Sequence, residues 1–337
     1  SQLPQNQRNP WRKLQILWGC NFPNHMNLMC NPLTKISITW KLVVNVIVLL
    51  SQVSLLEHNS RVPSCPKSCP KGTFCVAPLS SCIKQLTCEN LSTIDVGPLL
   101  GYGSTKACYL SYLPEFCLVA CTLTNPAYMD DFMRGIQFLE QLNPSAFVSQ
   151  LLGHCETVPI IFLQYYPFGD LTNLPVIINN YFLHTEGLPL RLCQDYASVL
   201  NYLHSFPSGA LVMCDTNSLE KTLQQFLLTD MLHIVVNDID ALERVENDRP
   251  IVCGNRPPQG ELVAPEQIGN IGQGYNEKVD IWKLPMICKH FLLFDHASRN
   301  YIYKFFEIHK SCQNVNPVLR PTSQDMVHQY KIHNIRA

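Results

Sequence analysis

The pattern of apolar and polar positions changes near residue 171, and this change predicts two regions of different secondary structure. Between residues 93 and 171, short apolar runs alternate with turn residues, and an amphipathic stretch at 130–142 interrupts them. This order predicts three strands, a helix and two further strands. Beyond residue 171, longer helical patterns such as 190–204 and 280–294 alternate with loops that contain Gly and Pro. We therefore predict an α+β fold in which a small sheet-rich lobe precedes a larger helical lobe.

A separate apolar stretch lies near the N-terminus. Residues 42–56 are uncharged and mostly apolar, although a membrane span usually needs roughly 20 such residues. The flank at 1–41 has no acidic residue and carries the basic residues Arg8, Arg12, Lys13, Lys35 and Lys41. The positive-inside rule then predicts a cytosolic tail at 1–41, a signal-anchor at 42–56 and a lumenal remainder, as in a single-pass type II protein. A buried strand or helix and a cleaved signal peptide are the alternatives.

Cysteine usage also favours the lumen. Of 16 cysteines, five fall in a predicted stem at 57–95: Cys65, Cys69, Cys75, Cys82 and Cys88. We predict disulfides there rather than a zinc site, because no pair has C-x-x-C spacing and no His lies between Cys65 and Cys88. The stem also contains the N-glycosylation sequon Asn90-Leu91-Ser92, which is used only in the secretory pathway. We expect the catalytic domain to follow at 96–337.

The net charge of the chain bears on the class of partner. The net charge of −1 gives no support for a polyanionic partner, so we expect no binding to nucleic acid.

Gly101 and Gly103 bracket a turn between predicted strands, where bare backbone N–H groups can approach phosphate oxygens. An ordinary hairpin turn is the alternative.

Further landmarks follow in the order found in protein kinases. They are Val119-Ala120 for V-A-I-K, 165–171 for the hinge, 212–215 for H-R-D, 238–240 for D-F-G, 264–266 for A-P-E, 280–282 for D-x-W and Arg320-Pro321 near the end. Together with the glycine turn, they predict a bilobal protein-kinase-like fold. At the start of the hinge, Gln164 and Tyr166 are expected to contact the nucleotide, as are Gly101 and Gly103.

Several stretches resemble one family more than kinases in general. The stretches are 213–217, 221–223, 237–242, 263–267 and 277–283, and the similarity to the protein O-mannose kinase family extends over roughly 69–330. The resemblance implies a type II protein of the endoplasmic reticulum membrane that uses ATP with Mg²⁺ or Mn²⁺. It also implies the acceptor, the 6-hydroxyl of mannose in a GalNAc-GlcNAc-mannose trisaccharide on α-dystroglycan.

Two carboxylates are candidates for the central chemistry. We expect Asp215 to be the general base that receives the proton of the attacking hydroxyl, the alternative being a structural loop aspartate. Asp238 is expected to bind the divalent metal. The second metal ligand of kinases is an Asn five residues after the base, where this chain has Glu220. Counted back from Asp238, the position of that Asn falls on Gln225, which implies a longer catalytic loop. We rank Gln225 above Glu220 as the second metal ligand.

The phosphate-binding lysine is not at its usual position. Thr122 occupies that place, and Lys106 stands at the third-glycine position of G-x-G-x-x-G. The with-no-lysine kinases supply their cation from there, so we expect Lys106 to contact the phosphates; a solvated strand lysine is the alternative. The helix glutamate that normally orients this lysine is replaced by Gly135, and Asp131, one turn earlier on the same face, is a candidate substitute.

Two further features bear on the acceptor and on the structure of the large lobe. Asn217 replaces the lysine of D-x-K, which removes a phosphate contact and suggests an acceptor unlike a peptide hydroxyl. Glu266 and Arg320 are expected to form a structural ion pair without a role in the chemistry.

Three functions compete. The first is a carbohydrate kinase, for which the retained Asp215, Asp238 and Lys106 argue. The second is a lumenal pseudokinase that binds a glycan or partner without phosphoryl transfer, for which Thr122 and Gly135 argue. The third is a secretory-pathway kinase that acts on Ser or Thr of proteins, against which Asn217 counts.

Overall fold

The computed structural model describes residues 65–66, 69–155, 157–181, 187–246, 249–254, 258–269, 274–294 and 296–334. The predicted cytosolic tail at 1–41 and the predicted signal-anchor at 42–56 lie outside these ranges. Within them, no helix combines the length and the apolar character that crossing a membrane requires.

The stem is stabilised by disulfides rather than by a metal. A short hairpin of β1 (Thr73–Phe74) and β2 (Ile83–Lys84) is flanked by the Cys65–Cys75 and Cys69–Cys82 bonds. A third bond, Cys88–Cys155, joins the stem to the sheet that follows. The prediction of disulfides in this segment is therefore confirmed. Such bonds stabilise a small, loop-rich segment mainly by restricting its unfolded chain.

A five-stranded antiparallel sheet forms the small lobe. Its strands are β3 (Asp95–Tyr102), β4 (Lys106–Tyr112), β5 (Cys117–Leu123), β6 (Leu151–Cys155) and β7 (Ile160–Gln164), in the spatial order β3-β4-β5-β7-β6. Helix α1 (Met129–Leu142) lies between β5 and β6 in sequence and buries Phe132, Ile136 and Leu139, which share one face at helical spacing. The predicted order of three strands, a helix and two strands is confirmed.

The larger lobe is mainly helical. Its elements are α2 (Leu174–Tyr181), α3 (Leu188–His204), β8 (Leu211–Met213), α4 (Leu219–Gln224), β9 (Phe226–Leu228), β10 (Ile234–Val236), β11 (Leu242–Arg244), α5 (Pro265–Gly269), α6 (Lys278–Leu292), α7 (Asn300–Lys304), α8 (Phe306–Cys312) and α9 (Ser323–Asn334). Helix α3 packs against α6 and α9 in the middle of this lobe, and the Cys193–Cys288 disulfide joins α3 to α6. The two long helices predicted from the pattern are confirmed.

Two short strand pairs position the candidate chemistry. Strand β8 pairs with β11, with Met213 opposite Leu242. Strand β9 pairs with β10, with Phe226 opposite Val236. The predicted catalytic loop lies between β8 and β9, and the 238–240 segment connects β10 to β11. The two segments meet where Asn237 N donates to the Gln225 carbonyl oxygen at 2.9 Å.

Candidate active site

Lys106, the first residue of β4, reaches across to the 238–240 segment. Its Nζ lies 2.6 Å from Oδ1 of Asp238 and 3.3 Å from Oδ2 of Asp240. The Lys106 side chain is only 16% exposed. Burial opposes its charge, but the two carboxylates outweigh this effect and raise its pKa above the ordinary value. The alternative of a solvated strand lysine is therefore wrong, because the ammonium is paired between the lobes.

Asp240 occupies the space of the missing helix glutamate. Gly135 on α1 packs so closely that a Cβ at this position would lie 3.1 Å from Cβ of Asp240. The expectation that Asp131 replaces the glutamate is wrong. Asp131 is 40% exposed and accepts a hydrogen bond from Arg134 Nη2 at 2.5 Å. The sequence signal for Asp240 was available: an aspartate stands where D-F-G has glycine.

Arg134 connects α1 to the segment that carries Asp240. Its Nε donates to the backbone carbonyl oxygen of Asp240 at 3.3 Å, and its Nη1 donates to Oε1 of Glu243 at 3.2 Å. The same guanidinium binds Asp131 on its own helix. Helix α1 therefore contacts the segment that carries the carboxylate partner of Lys106, although it does not supply that carboxylate.

The two aspartates of the 238–240 segment have pKa values shifted in opposite directions. Burial opposes the ionisation of Asp238, but the adjacent Lys106 ammonium prevails, and the pKa of Asp238 lies below its ordinary value. Burial raises the pKa of Asp240 to about 6, with repulsion from Asp238 adding to the effect and Lys106 opposing it. At neutral pH, Asp238 therefore presents an ionised carboxylate, which is the form that binds a divalent cation.

Gln225 lies directly beside Asp238. With its amide oriented to donate, the Gln225 nitrogen is 3.2 Å from the carbonyl oxygen of Asp238 and 3.3 Å from its Oδ2. The Gln225 backbone carbonyl also accepts from Asn237 N at 2.9 Å. Gln225 is buried, whereas Glu220 is exposed on α4. One carboxylate and one amide side chain are thus adjacent here. When the amide turns its oxygen toward Asp238, the pair offers the oxygen donors that hard divalent cations prefer.

The loop that carries Asp215 is held by a buried network. The Met213 N–H donates to Oδ2 of Asp280 at 3.1 Å. The Lys283 ammonium donates to the Met213 carbonyl oxygen at 3.1 Å and to Oγ1 of Thr216 at 2.6 Å. The side chain of Asp215, between Met213 and Thr216 in the chain, remains 39% exposed. The backbone around Asp215 is therefore fixed, while its carboxylate stays accessible.

A disulfide provides a second constraint on this loop. Cys214, which precedes Asp215 and stands at the arginine position of H-R-D, is bonded to Cys253. Cys253 belongs to the segment between β11 and α5, the region corresponding to the kinase activation segment. A covalent link therefore joins the catalytic loop to that segment.

The predicted nucleotide contacts lie along β3 and at the end of β7. Gly101 is exposed, and a Cβ at this position would meet no atom within 4 Å. The Gly103 N–H donates to the Lys106 carbonyl oxygen at 2.9 Å, which closes the turn. Gln164 ends β7. The Tyr166 hydroxyl accepts from Gln150 N at 3.3 Å, and the phenol is buried.

A cavity lies behind Lys106, between the sheet and α1. It is lined by Lys106, Phe132, Gly135, Leu139, Leu163 and Asp240, among others. Its walls are mostly apolar, and among the described residues that line it only the paired Lys106 and Asp240 are charged.

The predicted ion pair of the large lobe is confirmed. Arg320 Nη1 and Nη2 donate to Oε1 and Oε2 of Glu266 at 2.6 and 2.8 Å. Both side chains are buried, and the guanidinium stacks on Trp282 at 5.0 Å from the ring centroid. Such a two-pronged pair fixes geometry between α5 and the segment before α9.

Comparison with known proteins gives several relatives of one name. Protein O-mannose kinase of Macaca fascicularis is 38% identical over 283 residues, which cover 79% of this chain and 80% of the relative. The Gallus gallus protein of that name is 37% identical over 307 residues, 86% of each chain. The Homo sapiens protein is 38% identical over 283 residues, 79% of this chain and 80% of its own. No family model matches the chain.

Proposed function

The chain belongs to the protein O-mannose kinase family, and from that membership we propose that it transfers the γ-phosphoryl group of ATP to the 6-hydroxyl of an O-linked mannose. The observation that carries the proposal is the contact of Lys106 Nζ with Asp238 Oδ1 at 2.6 Å. These residues are 132 positions apart in the chain. A glycan-binding scaffold has no physical need to keep a buried cation against a metal-binding carboxylate.

In the proposed reaction, the mannose 6-hydroxyl oxygen forms a bond to the γ-phosphorus while the bond from that phosphorus to the β–γ bridging oxygen breaks. ADP leaves, and the hydroxyl proton passes to the carboxylate of Asp215, whose side chain is partly exposed. Lys106 pairs with the α- and β-phosphates from β4. Asp238 and Gln225 would hold Mg²⁺ or Mn²⁺, which neutralises phosphate charge when bound. Most of the catalysis is therefore positioning and electrostatic stabilisation.

The acceptor we propose is the GalNAc-GlcNAc-mannose trisaccharide on α-dystroglycan, as the family resemblance implies. The site is proposed to operate in the lumen of the endoplasmic reticulum, behind an N-terminal type II anchor. Disulfides in the stem, the sheet lobe and the helical lobe support an oxidising compartment. The basic, acid-free flank at 1–41 supports the orientation of the anchor.

The test is a transfer assay. The lumenal portion is incubated with radiolabelled ATP, a divalent metal and the synthetic trisaccharide, beside Asp215→Asn and Lys106→Met variants. We expect incorporation by the wild type that both variants lose by at least about 10²-fold. Glu115→Gln, at an exposed position between β4 and β5, serves as the matched control and should keep full activity. Nucleotide binding without incorporation would instead support the scaffold, and incorporation into Ser or Thr of a protein would support a protein kinase.

A further inference from the structure

The catalytic loop contains a helical turn that gives a new position to a lysine. Between Asp215 and Gln225 the chain forms α4, residues Leu219–Gln224. The Ser218 hydroxyl accepts from Lys221 N at 3.3 Å and caps this helix, and Leu219 N donates to Oε1 of Glu261 at 2.7 Å. Both bonds fix where α4 begins. The direction in which Lys221 leaves the helix is fixed with it.

Lys221 points back to the proposed general base. Its Nζ lies 2.8 Å from Oδ2 of Asp215. One ammonium therefore lies directly against the carboxylate that faces the acceptor hydroxyl in kinases. The Lys221 side chain is 50% exposed, so it is accessible from solvent.

The backbone of Asn217, at the position of the D-x-K lysine, packs against the 258–262 segment. Its backbone carbonyl accepts from Leu262 N at 2.9 Å. A Cβ on Gly260 would lie 2.2 Å from that same oxygen, so the 258–262 segment packs directly on Asn217. This position therefore organises the adjoining segment, and it carries no positive charge for a phosphate.

We infer that Lys221 binds the γ-phosphate of ATP and is a catalytic residue that takes over the role of the D-x-K lysine. The inference rests on the proposed function. As the bond from the γ-phosphorus to the bridging oxygen breaks, the ammonium stabilises the charge on the equatorial oxygens of the transferring group. Exchange of the Asp215 carboxylate for a phosphate oxygen on Lys221 also leaves Asp215 open to the mannose hydroxyl, whose proton it accepts.

A purely structural ion pair predicts different behaviour. Exposed pairs contribute little to stability and do not distinguish nucleotides. A γ-phosphate contact, by contrast, distinguishes ATP from ADP, which lacks that group. The ratio of ATP to ADP affinity therefore separates the two roles, and it is independent of transfer to any acceptor.

The experiment compares wild type with Lys221→Ala, Lys221→Arg and Gln224→Ala, an exposed neighbour on α4. Affinities for ATP and ADP with Mg²⁺ are measured by calorimetry, and transfer to the trisaccharide is measured alongside. We expect Lys221→Ala to lose about tenfold or more of the preference for ATP and about 10²-fold in kcat. Lys221→Arg should keep most of both, Gln224→Ala should match wild type, and the melting temperatures should be equal.

The possible results distinguish a failure of the Lys221 inference from a failure of the proposed function. An unchanged ATP preference and kcat in Lys221→Ala would overturn the inference, as would a wild type that binds ATP no better than ADP. A wild type that prefers ATP and fails to phosphorylate the trisaccharide would remove the proposed function. In that case, loss of the preference in Lys221→Ala would still support Lys221 as the γ-phosphate contact.

Discussion

Gly135 and Asp240 have exchanged residue types relative to other kinases. Gly135 stands on α1 where those kinases have the glutamate that pairs with the lysine, and Asp240 stands where D-F-G has its glycine. The helix position has no side chain, and the aspartate that packs 3.1 Å from where a Cβ would lie supplies the carboxylate instead. Because Lys106 comes from β4 rather than β5, its partner also has to come from a different direction. The missing lysine and the missing glutamate are therefore one linked rearrangement.

This linkage predicts that restoring the helix glutamate alone abolishes activity. Gly135→Glu drives a side chain into Asp240 and places another carboxylate beside two existing ones. We expect at least about 10²-fold loss of kcat/KM. The double variant Gly135→Glu with Asp240→Gly relieves the collision and should recover activity relative to Gly135→Glu. Equal activity of the single and double variants in the transfer assay would show that the two positions are independent.

Asp240 also predicts a dependence of stability on pH. Its pKa is raised from 3.8 to about 6 in the folded protein. Between those values the folded state holds a proton that the unfolded chain has released, so the contribution of Asp240 to stability is lost as pH rises from about 4 to about 6. The melting temperature of wild type should therefore fall relative to Asp240→Asn over that range, by about 2–4 °C for each kcal/mol.

The control for this measurement is Glu115→Gln, which removes an exposed carboxylate between β4 and β5. Its melting temperature should follow that of wild type at each pH. A difference between wild type and Asp240→Asn that stays constant from pH 4 to pH 7 would mean that Asp240 is not protonated in this window.

The order of elements and the principal carboxylates were accessible from the sequence, because both depend on local pattern. Strand and helix periodicity predicted the sheet lobe and α1, and motif order indicated Asp215 and Asp238. The partner of Lys106 was harder to identify. An aspartate at the glycine position of D-F-G indicates Asp240, but Asp131 on the helix is a second candidate, and it is the contact of Asp240 with Lys106 Nζ that distinguishes them. Lys221 was missed because its direction depends on α4, a helix within a loop that is usually shorter.

The choice between Gln225 and Glu220 can be tested through metal dependence. Gln225 is buried beside Asp238, and Glu220 is exposed on α4. We expect Gln225→Ala to need at least about tenfold more Mg²⁺ or Mn²⁺ for half-maximal transfer, since loss of a ligand weakens metal binding. Glu220→Ala should have the metal dependence of wild type. The reverse result in a metal titration would assign the second ligand to Glu220.

The Cys214–Cys253 disulfide should matter for activity as well as for stability. It closes a loop with a sequence separation of 39 beside Asp215, and such a bond contributes about 2–4 kcal/mol. We expect the double serine variant to lose stability in urea denaturation and to lose kcat severalfold, because the base is less well positioned. Replacing the Cys69–Cys82 pair in the stem is the matched control. That variant should lose stability with little change in kcat, whereas a comparable loss of kcat in both would point to general unfolding.

The buried network beneath the catalytic loop gives the largest expected effect on stability. Asp280 accepts hydrogen bonds from Met213 N, His204 Nε2 and Lys283 Nζ at 3.1–3.2 Å. Burial opposes its charge, but Lys283 and His204 outweigh burial and keep its pKa below the ordinary value. Lys283→Met leaves that charge buried without its cation, which costs about 3–5 kcal/mol. The same change at Lys289, exposed near the end of α6, should leave the urea midpoint nearly unchanged.

A double variant separates the charge from the packing. Asp280→Asn removes the uncompensated carboxylate, so combining it with Lys283→Met should recover part of the stability that Lys283→Met loses. Because the pKa of Asp280 is lowered in the folded state, its contribution to wild-type stability is lost as pH falls through that pKa. Wild type and Lys283→Met should therefore converge in stability in acid. If their urea midpoints remained equally far apart at low pH, the loss in Lys283→Met would come from packing and not from an unpaired charge.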